Sequence, residues 1–233
     1  MKLDVLATGP HPDDVELGCG GTLAKMAKQG YKIGILDLTQ GELGTRGSRE
    51  IRMEEAKKAG EILGISAREN LKMKDGFFVN DAEHQLKIIK IIRKYQPEIV
   101  ITSAPNDRHI DHARAHELVK NAAFLSGLKK IETGQEPWRP KHIFSYIQWQ
   151  PLTPDFIVDI TGFLDQKIQS CLAYKSQFHD PNSTEPETAI SNKNFTESIE
   201  YRAKDMGRII WKDAGEGFIK NDNLGVDNLM AFL

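Results

Sequence analysis

The chain opens with a short apolar run, Leu3 to Gly9, that ends in a polar turn, which is the pattern of a buried strand. Behind it, Leu23, Met26 and Ala27 recur at helical spacing within Gly20 to Gly30, and Gly30 is placed to stop that helix. Tyr31 to Thr39 reads as a second strand. Ser48 then stands as the N-cap of a helix over Glu50 to Leu63, whose stripe of Ile51, Ala56, Ala59, Ile62 and Leu63 ends at Gly64. A weaker strand, Asn70 to Lys74, precedes a helix over Asp81 to Tyr95 with Leu86, Ile88, Ile89 and Ile92 on or near one face. Glu98 to Ser103 is the clearest buried strand of all. Strands that alternate with helices of this length pair in parallel through right-handed crossovers. The pattern therefore predicts an α/β fold of the Rossmann-like class, three layers built around a mostly parallel sheet.

From about Trp138 the rhythm changes: His142 to Gln148 and Phe156 to Ile160 read as strands, Leu164 to Tyr174 and Ser198 to Trp211 as helices. Ser176 to Asn194, rich in Pro, Ser, Thr and Asn, reads as an exposed loop. A single domain over 1–233 is expected, with a Rossmann-like part at about 1–130 and the elements of about 138–233 completing the pocket.

Composition narrows the function more than the fold. With 39% hydrophobic and 27% charged residues the chain is not disordered, collagen-like or a coiled coil. At 233 residues it needs neither disulfides nor a structural metal to hold a core, so any metal would be present for chemistry. The 31 basic residues against 33 acidic ones, a net charge of −2, are scattered rather than striped, which argues against a nucleic-acid partner. Cys19 and Cys171 fit a reducing compartment, with one bridge between them left open, and the cytoplasm is the expected location. No run approaches the roughly 20 apolar residues of a membrane span, so no membrane partner is expected. The apolar stretch Leu229 to Leu233 is expected to pack on the domain or on a second subunit.

In an open parallel sheet, ligands bind beyond the carboxyl ends of the strands. Two such places here carry metal-ligand chemistry: His11-Pro12-Asp13-Asp14 after the first strand, and His109-Ile110-Asp111-His112 after the strand ending at Ser103. Each alone fits a turn, a helix N-cap or a pair of surface histidines. Together, at one edge of one sheet, they predict a metal site, since imidazole plus carboxylate suits zinc and a catalytic zinc keeps a position open for water. Gly18-Cys19-Gly20-Gly21 invites a dinucleotide-binding reading, but Leu23 stands where the last glycine of G-x-G-x-x-G belongs. Those glycines are expected instead to let the first helix approach the sheet. A nucleotide-binding module that cradles phosphate at Gly18 to Gly21 is the rival from a different class, and Asp13 and Asp14 speak against it.

The two His/Asp motifs resemble the signature of the LmbE-like, or PIG-L, family of zinc-dependent N-acetylglucosamine deacetylases. The likeness extends to Gly41-Glu42, Arg52-Met53-Glu54-Glu55-Ala56, Asp75-Gly76, Ser176-Gln177 and Glu216. Within that family the chain looks most like the bacillithiol-pathway deacetylases that act on N-acetylglucosaminyl malate. The resemblance implies that His11, Asp14 and His112 bind the metal and that Asp13 is the general base. It implies that His109 meets the oxyanion, while Asp111 orients the His109 imidazole and favours its charged form. Zinc is the default ion, and ferrous iron is the other that these ligands accept. Arg52 would bind substrate as an anchor for an anionic group, with Arg108 and Arg46 competing for that job, and Asp75 would start a turn or bond sugar hydroxyls. His116 is a competing metal ligand, and His179 a candidate for the pocket wall. The implied partner is a small amino-sugar substrate, with another N-acyl amino sugar or a chito-oligosaccharide as the alternative, and a homo-oligomer is admitted.

Overall fold

The structure is a computed structural model that describes residues 1–232, with side chains through Ala231. Seven strands form one sheet in the order β3-β2-β1-β4-β5-β7-β6. Here β1 is Val5–Gly9, β2 Ile33–Thr39, β3 Ala67–Met73, β4 Ile99–Ser103, β5 His142–Tyr146, β6 Phe156–Asp159 and β7 Gly215–Lys220. The first five run parallel. β7 pairs antiparallel with both β5 and β6. The α/β, mostly parallel architecture read from the sequence is the one present.

The helices are α1 (Asp14–Lys28), α2 (Arg49–Leu63), α3 (Ala82–Tyr95), α4 (Ile110–Ser126), α5 (Leu164–Leu172) and α6 (Lys193–Ile209). Alternate strand residues feed two cores. Leu6, Leu36, Leu38 and Val100 pack with Ile88, Ile89 and Ile92 of α3 and Leu118, Val119 and Ala122 of α4 on one face. Val5, Ala7, Ile33, Ile35 and Ile101 meet Val15, Cys19 and Leu23 of α1 on the other. This period-two partition makes the strands apolar on both faces, as a sheet covered on both sides requires.

α1 departs from the sequence reading in a way that matters for the site. It begins at Asp14 rather than Gly20 and consists of two helical pieces joined by a kink at Cys19 (φ −145°, ψ 20°). The glycines around the kink do let it approach the sheet. A Cβ on Gly18 would lie 2.2 Å from the Tyr146 ring, and one on Gly21 would lie 2.6 Å from Ile160. At the kink the second piece exposes fresh N-terminal amides, and a distant residue takes them. Glu216 of β7 accepts from Gly21 N at 3.0 Å and Thr22 N at 2.7 Å, while Lys167 Nζ lies 2.5 Å from the same carboxylate.

Other boundaries shift for local reasons. β7 is absent from the sequence reading because Gly215-Glu216-Gly217 hides its pattern behind glycines and a charge. β3 starts earlier than Asn70, as a half-buried edge strand carrying Arg68 and Glu69. The loop after Ser176 is not wholly exposed, since Gln177, Phe178 and Ser191 are buried and α6 already starts at Lys193. Cys19 and Cys171 are both buried and free. Leu229–Phe232 form a 3-10 turn whose Leu229 and Met230 are exposed, while the Phe232 side chain and Leu233 lie outside the described residues. Among the described residues no helix is long and apolar enough to cross a membrane.

Candidate active site

The turn after β1 is held in a conformation that a non-glycine residue rarely adopts. Asp13 has φ 118° and ψ −26° and makes no side-chain cap bond to α1. Such geometry costs on the order of 1–3 kcal/mol and persists only where the surroundings impose it. The imposing partner is Arg52 of α2, nearly buried, whose Nη1 donates to Pro12 O at 2.9 Å and to Asp13 Oδ2 at 3.2 Å. Over that guanidinium lies the Gly41–Gly44 loop. Gly41 has φ +65°, and a Cβ there would come within 3.1 Å of Nη1. The Arg52 side chain is thus engaged through Nη1 with the Asp13 turn, and it also lines the cavity into which the sequence reading placed substrate.

Asp14 joins the two histidine motifs. Its Oδ2 is 3.2 Å from His11 Nδ1 and its Oδ1 is 3.2 Å from His112 Nε2. His11, His109 and His112 also bring ligand nitrogens within 4.8 Å of one another. Each of the two flanking rings turns its other nitrogen to a carboxylate. His11 Nε2 lies 2.9 Å from Asp75 Oδ1 and 3.3 Å from Asp111 Oδ2, and His112 Nδ1 stands at an ion-pair distance of 3.2 Å from Asp107 Oδ2. Carboxylate behind imidazole is the arrangement that orients metal-ligating histidines and raises their basicity. The donor set therefore fits a divalent cation.

The electrostatics agree. Burial works to lower both outer histidines, but their carboxylate partners outweigh it, holding His11 well above its ordinary value and His112 up at about 9. For Asp14 burial pulls upward, and the imidazoles, His112 first, hold it well below the usual carboxylate range. Four acids thus favour positive charge at this spot, which a metal ion would supply. Asp13 is the exception: burial pushes it up to about 7 against the downward pull of Arg52.

His109 is the N-cap of α4, and its Nδ1 accepts from Asp111 N at 3.3 Å. In the neutral ring that acceptor role places the proton on Nε2. Two expectations change here. The Asp111 carboxylate does not orient His109. It accepts from Gly76 N at 2.9 Å and Arg114 Nη1 at 3.1 Å and sits against His11, because the first turn of α4 aims it back toward β1. Asp111 does pull the His109 pKa upward as expected, but burial and the neighbouring His11 and His112 charges outweigh it and lower the value.

His11, Asp13, Asp14, His109 and His112 line a cavity of about 830 Å³ whose walls include Leu43, Phe77, Ile110 and Trp149, while Asp111 is buried behind them. Arg108 also lines it, with its guanidinium carbon 4.5 Å from the Trp149 ring centroid. Asp75 faces His11 and accepts from Leu43 N at 3.0 Å, so its carboxylate supports the histidine. Arg46 pairs with Glu185 at 3.3 Å, outside the cavity lining. His116 bonds Ser103 O at 3.0 Å and Ser145 Oγ at 3.1 Å beneath the site, and His179 is not in the lining. Two participants escape the sequence reading: Asp107, and Gln148, whose Nε2 donates to Asp14 Oδ1 at 2.7 Å. Gln148 follows β5 as His11 follows β1, so the strand-end rule that found the histidines also points to it.

The profile of the GlcNAc-PI de-N-acetylase family, PIG-L, matches residues 6–123, from β1 through the first turns of the site to α4. The chain belongs to this family. Among its relatives, the diacetylchitobiose deacetylase of Thermococcus kodakarensis is 31% identical over 75% of this chain and 70% of its own. A probable N-acetyl-α-D-glucosaminyl L-malate deacetylase 2 of Bacillus cereus is 29% identical over 76% of this chain and 84% of its own. The conserved protein TT1542 of Thermus thermophilus superposes with a TM-score of 0.87 at 37% identity, covering 97% of this PIG-L member and 98% of that chain. The PIG-L match ends before β5, so Gln148 and Glu216 lie outside it.

Proposed function

We propose that the protein hydrolyses the N-acetyl group of an N-acetylglucosamine whose anomeric position carries a further group, releasing acetate and a free amine. The observation that carries this reading is the division of labour between adjacent carboxylates. Asp14 is committed to His11 and His112, whereas Asp13 is held by Arg52 through one oxygen and lines the open cavity with the other unbonded. His11, Asp14 and His112 would hold the metal. Bound there, a divalent ion supplies Lewis-acid polarisation of water and of the amide carbonyl.

Asp13, with a pKa of about 7, is matched to accept the proton of the attacking water near neutral pH and to return it to the departing nitrogen. His109, with its proton on Nε2, is a donor for the carbonyl oxygen as negative charge develops. Phe77 and Ile110 offer apolar surface to the sugar ring, and Arg108 adds a cation over the Trp149 ring. That cation supports the finer reading, in which the anomeric group is malate and the product enters bacillithiol synthesis.

Acetate release from N-acetylglucosaminyl malate, from diacetylchitobiose and from free N-acetylglucosamine, with metal stripped and restored, tests both levels. Metal-dependent release favouring the malate conjugate supports the full reading. Preference for diacetylchitobiose keeps the deacetylase and discards malate, and no release from any of them discards the reaction.

A further inference from the structure

The end of β5 reaches the histidine cluster from a third side. The turn after β1 brings His11 and Asp14 together, α4 brings His112, and the segment after β5 touches both groups. Gln148 Nε2 donates to Asp14 Oδ1 at 2.7 Å, and the next residue, Trp149, donates its backbone N–H at 3.2 Å to the Asp107 carboxylate that stands behind His112.

Gln148 is 7% exposed, so its amide has to find partners within the protein. Its nitrogen has Asp14, but Oε1 is buried and makes no hydrogen bond among the described residues. Turning the amide over would set Oε1 against the Asp14 carboxylate, oxygen to oxygen, so the donor has to face Asp14. Leaving a buried carbonyl unpaired is costly. A glutamine kept to tie β5 to the fold would pair its carbonyl too, whereas this amide is used at Asp14 alone.

The other end of that carboxylate shows what the bond achieves. Asp14 Oδ2 accepts from the His11 backbone N–H at 2.9 Å. The carboxylate is held through both oxygens and cannot turn about its own axis, yet each oxygen keeps a lone pair free. Oδ2 lies 3.2 Å from His11 Nδ1, and Oδ1 lies 3.2 Å from His112 Nε2.

We propose that Gln148 is a positioning residue for the metal: together with the His11 backbone N–H it fixes the plane of the Asp14 carboxylate, so that the remaining lone pairs face the gap between the His11 and His112 ring nitrogens. The role rests on the ligand set proposed above and asks nothing of the substrate. A carboxylate free to rotate would have to give up that freedom each time an ion binds, so the clamp acts on metal affinity before it acts on turnover.

Two variants test it. Gln148→Met keeps the length and bulk of the side chain and removes the donor, while Gln148→Asn keeps the amide and stops it one methylene short. Zinc affinity of the full-length protein is read by competition with a chromophoric chelator, and ligand geometry by the visible bands of cobalt(II) bound in place of zinc. Gln148→Met should hold zinc about 10- to 100-fold more weakly, with cobalt bands displaced from those of the wild type, and Gln148→Asn should fall between the two. Zinc held as tightly by Gln148→Met as by the wild type would overturn the proposal. Weaker binding with unaltered cobalt bands would overturn it too, since the loss would then have come through the fold. Should Gln148→Met fail to fold, Gln148→Asn decides by the same two readings. A wild type that binds no zinc would remove the ligand set and this role with it, a failure distinct from a clamp that does not matter.

Discussion

Arg52 and Asp13, on α2 and on the turn after β1, are joined by a contact of 3.2 Å, and the same nitrogen reaches the Pro12 carbonyl, so one side chain holds both the proposed base and its strained backbone. Arg52→Ala is expected to lower kcat by about 100-fold, the lower range of what a positioned general base contributes, with KM changed far less. Metal content should stay at the wild-type level. Steady-state kinetics alongside metal analysis check this, and a rise confined to KM would return Arg52 to substrate binding.

Removal of the proposed base and removal of a proposed ligand should separate cleanly. Asp13→Asn is expected to keep its metal and lose about 10²- to 10⁴-fold in turnover. His112→Ala, which takes away one imidazole and strands Asp107, should lose the metal itself. Stoichiometric metal in purified His112→Ala would strike it from the ligand set.

The pH dependence follows from the same pair. Asp13 must be ionised to accept a proton, and burial places its pKa at about 7. Activity (kcat/KM) should therefore fall about tenfold per unit as pH drops below about 7, and level off above it. Arg52 pulls that value down, so the acid limb should move to higher pH in Arg52→Gln, which removes the charge. A profile flat to pH 5 in the wild type would show that another group is the base.

Glycines around the α1 kink differ in what they can accept. Gly18→Ala places a methyl 2.2 Å from the buried Tyr146 ring and should cost about 1–3 kcal/mol in urea unfolding. Gly20→Ala meets nothing nearer than 3.4 Å and should be neutral or stabilising by about 0.5 kcal/mol. Equal effects would mean that α1 is free to back away from the sheet.

Much of this site was legible because its chemistry is local in sequence. His11 to Asp14 and His109 to His112 each occupy one turn, and β1 and β4 are apolar runs that announce their carboxyl ends. The supporting groups were not legible in the same way. Asp75, Asp107 and Asp111 act through His11 and His112, and which carboxylate stands behind which ring depends on how α4 and the turn after β3 are aimed. Arg52 was visible as a residue, but its partner was hidden until the strained turn at Asp13 came into view. Gln148 and β7 lie where the parallel pattern gives way to antiparallel pairing, and there periodicity says least.

The capping of Gly21 and Thr22 by Glu216 spans 195 and 194 residues of chain. The helix that begins inside the active site is therefore uncapped at its kink until β7 has been made. Until β7 pairs into the sheet, the second half of α1 has open amides, and Lys167 lacks its counter-charge. The second piece of α1 thus depends on a contact of the longest sequence separation, the kind that loop-closure entropy makes slow to form.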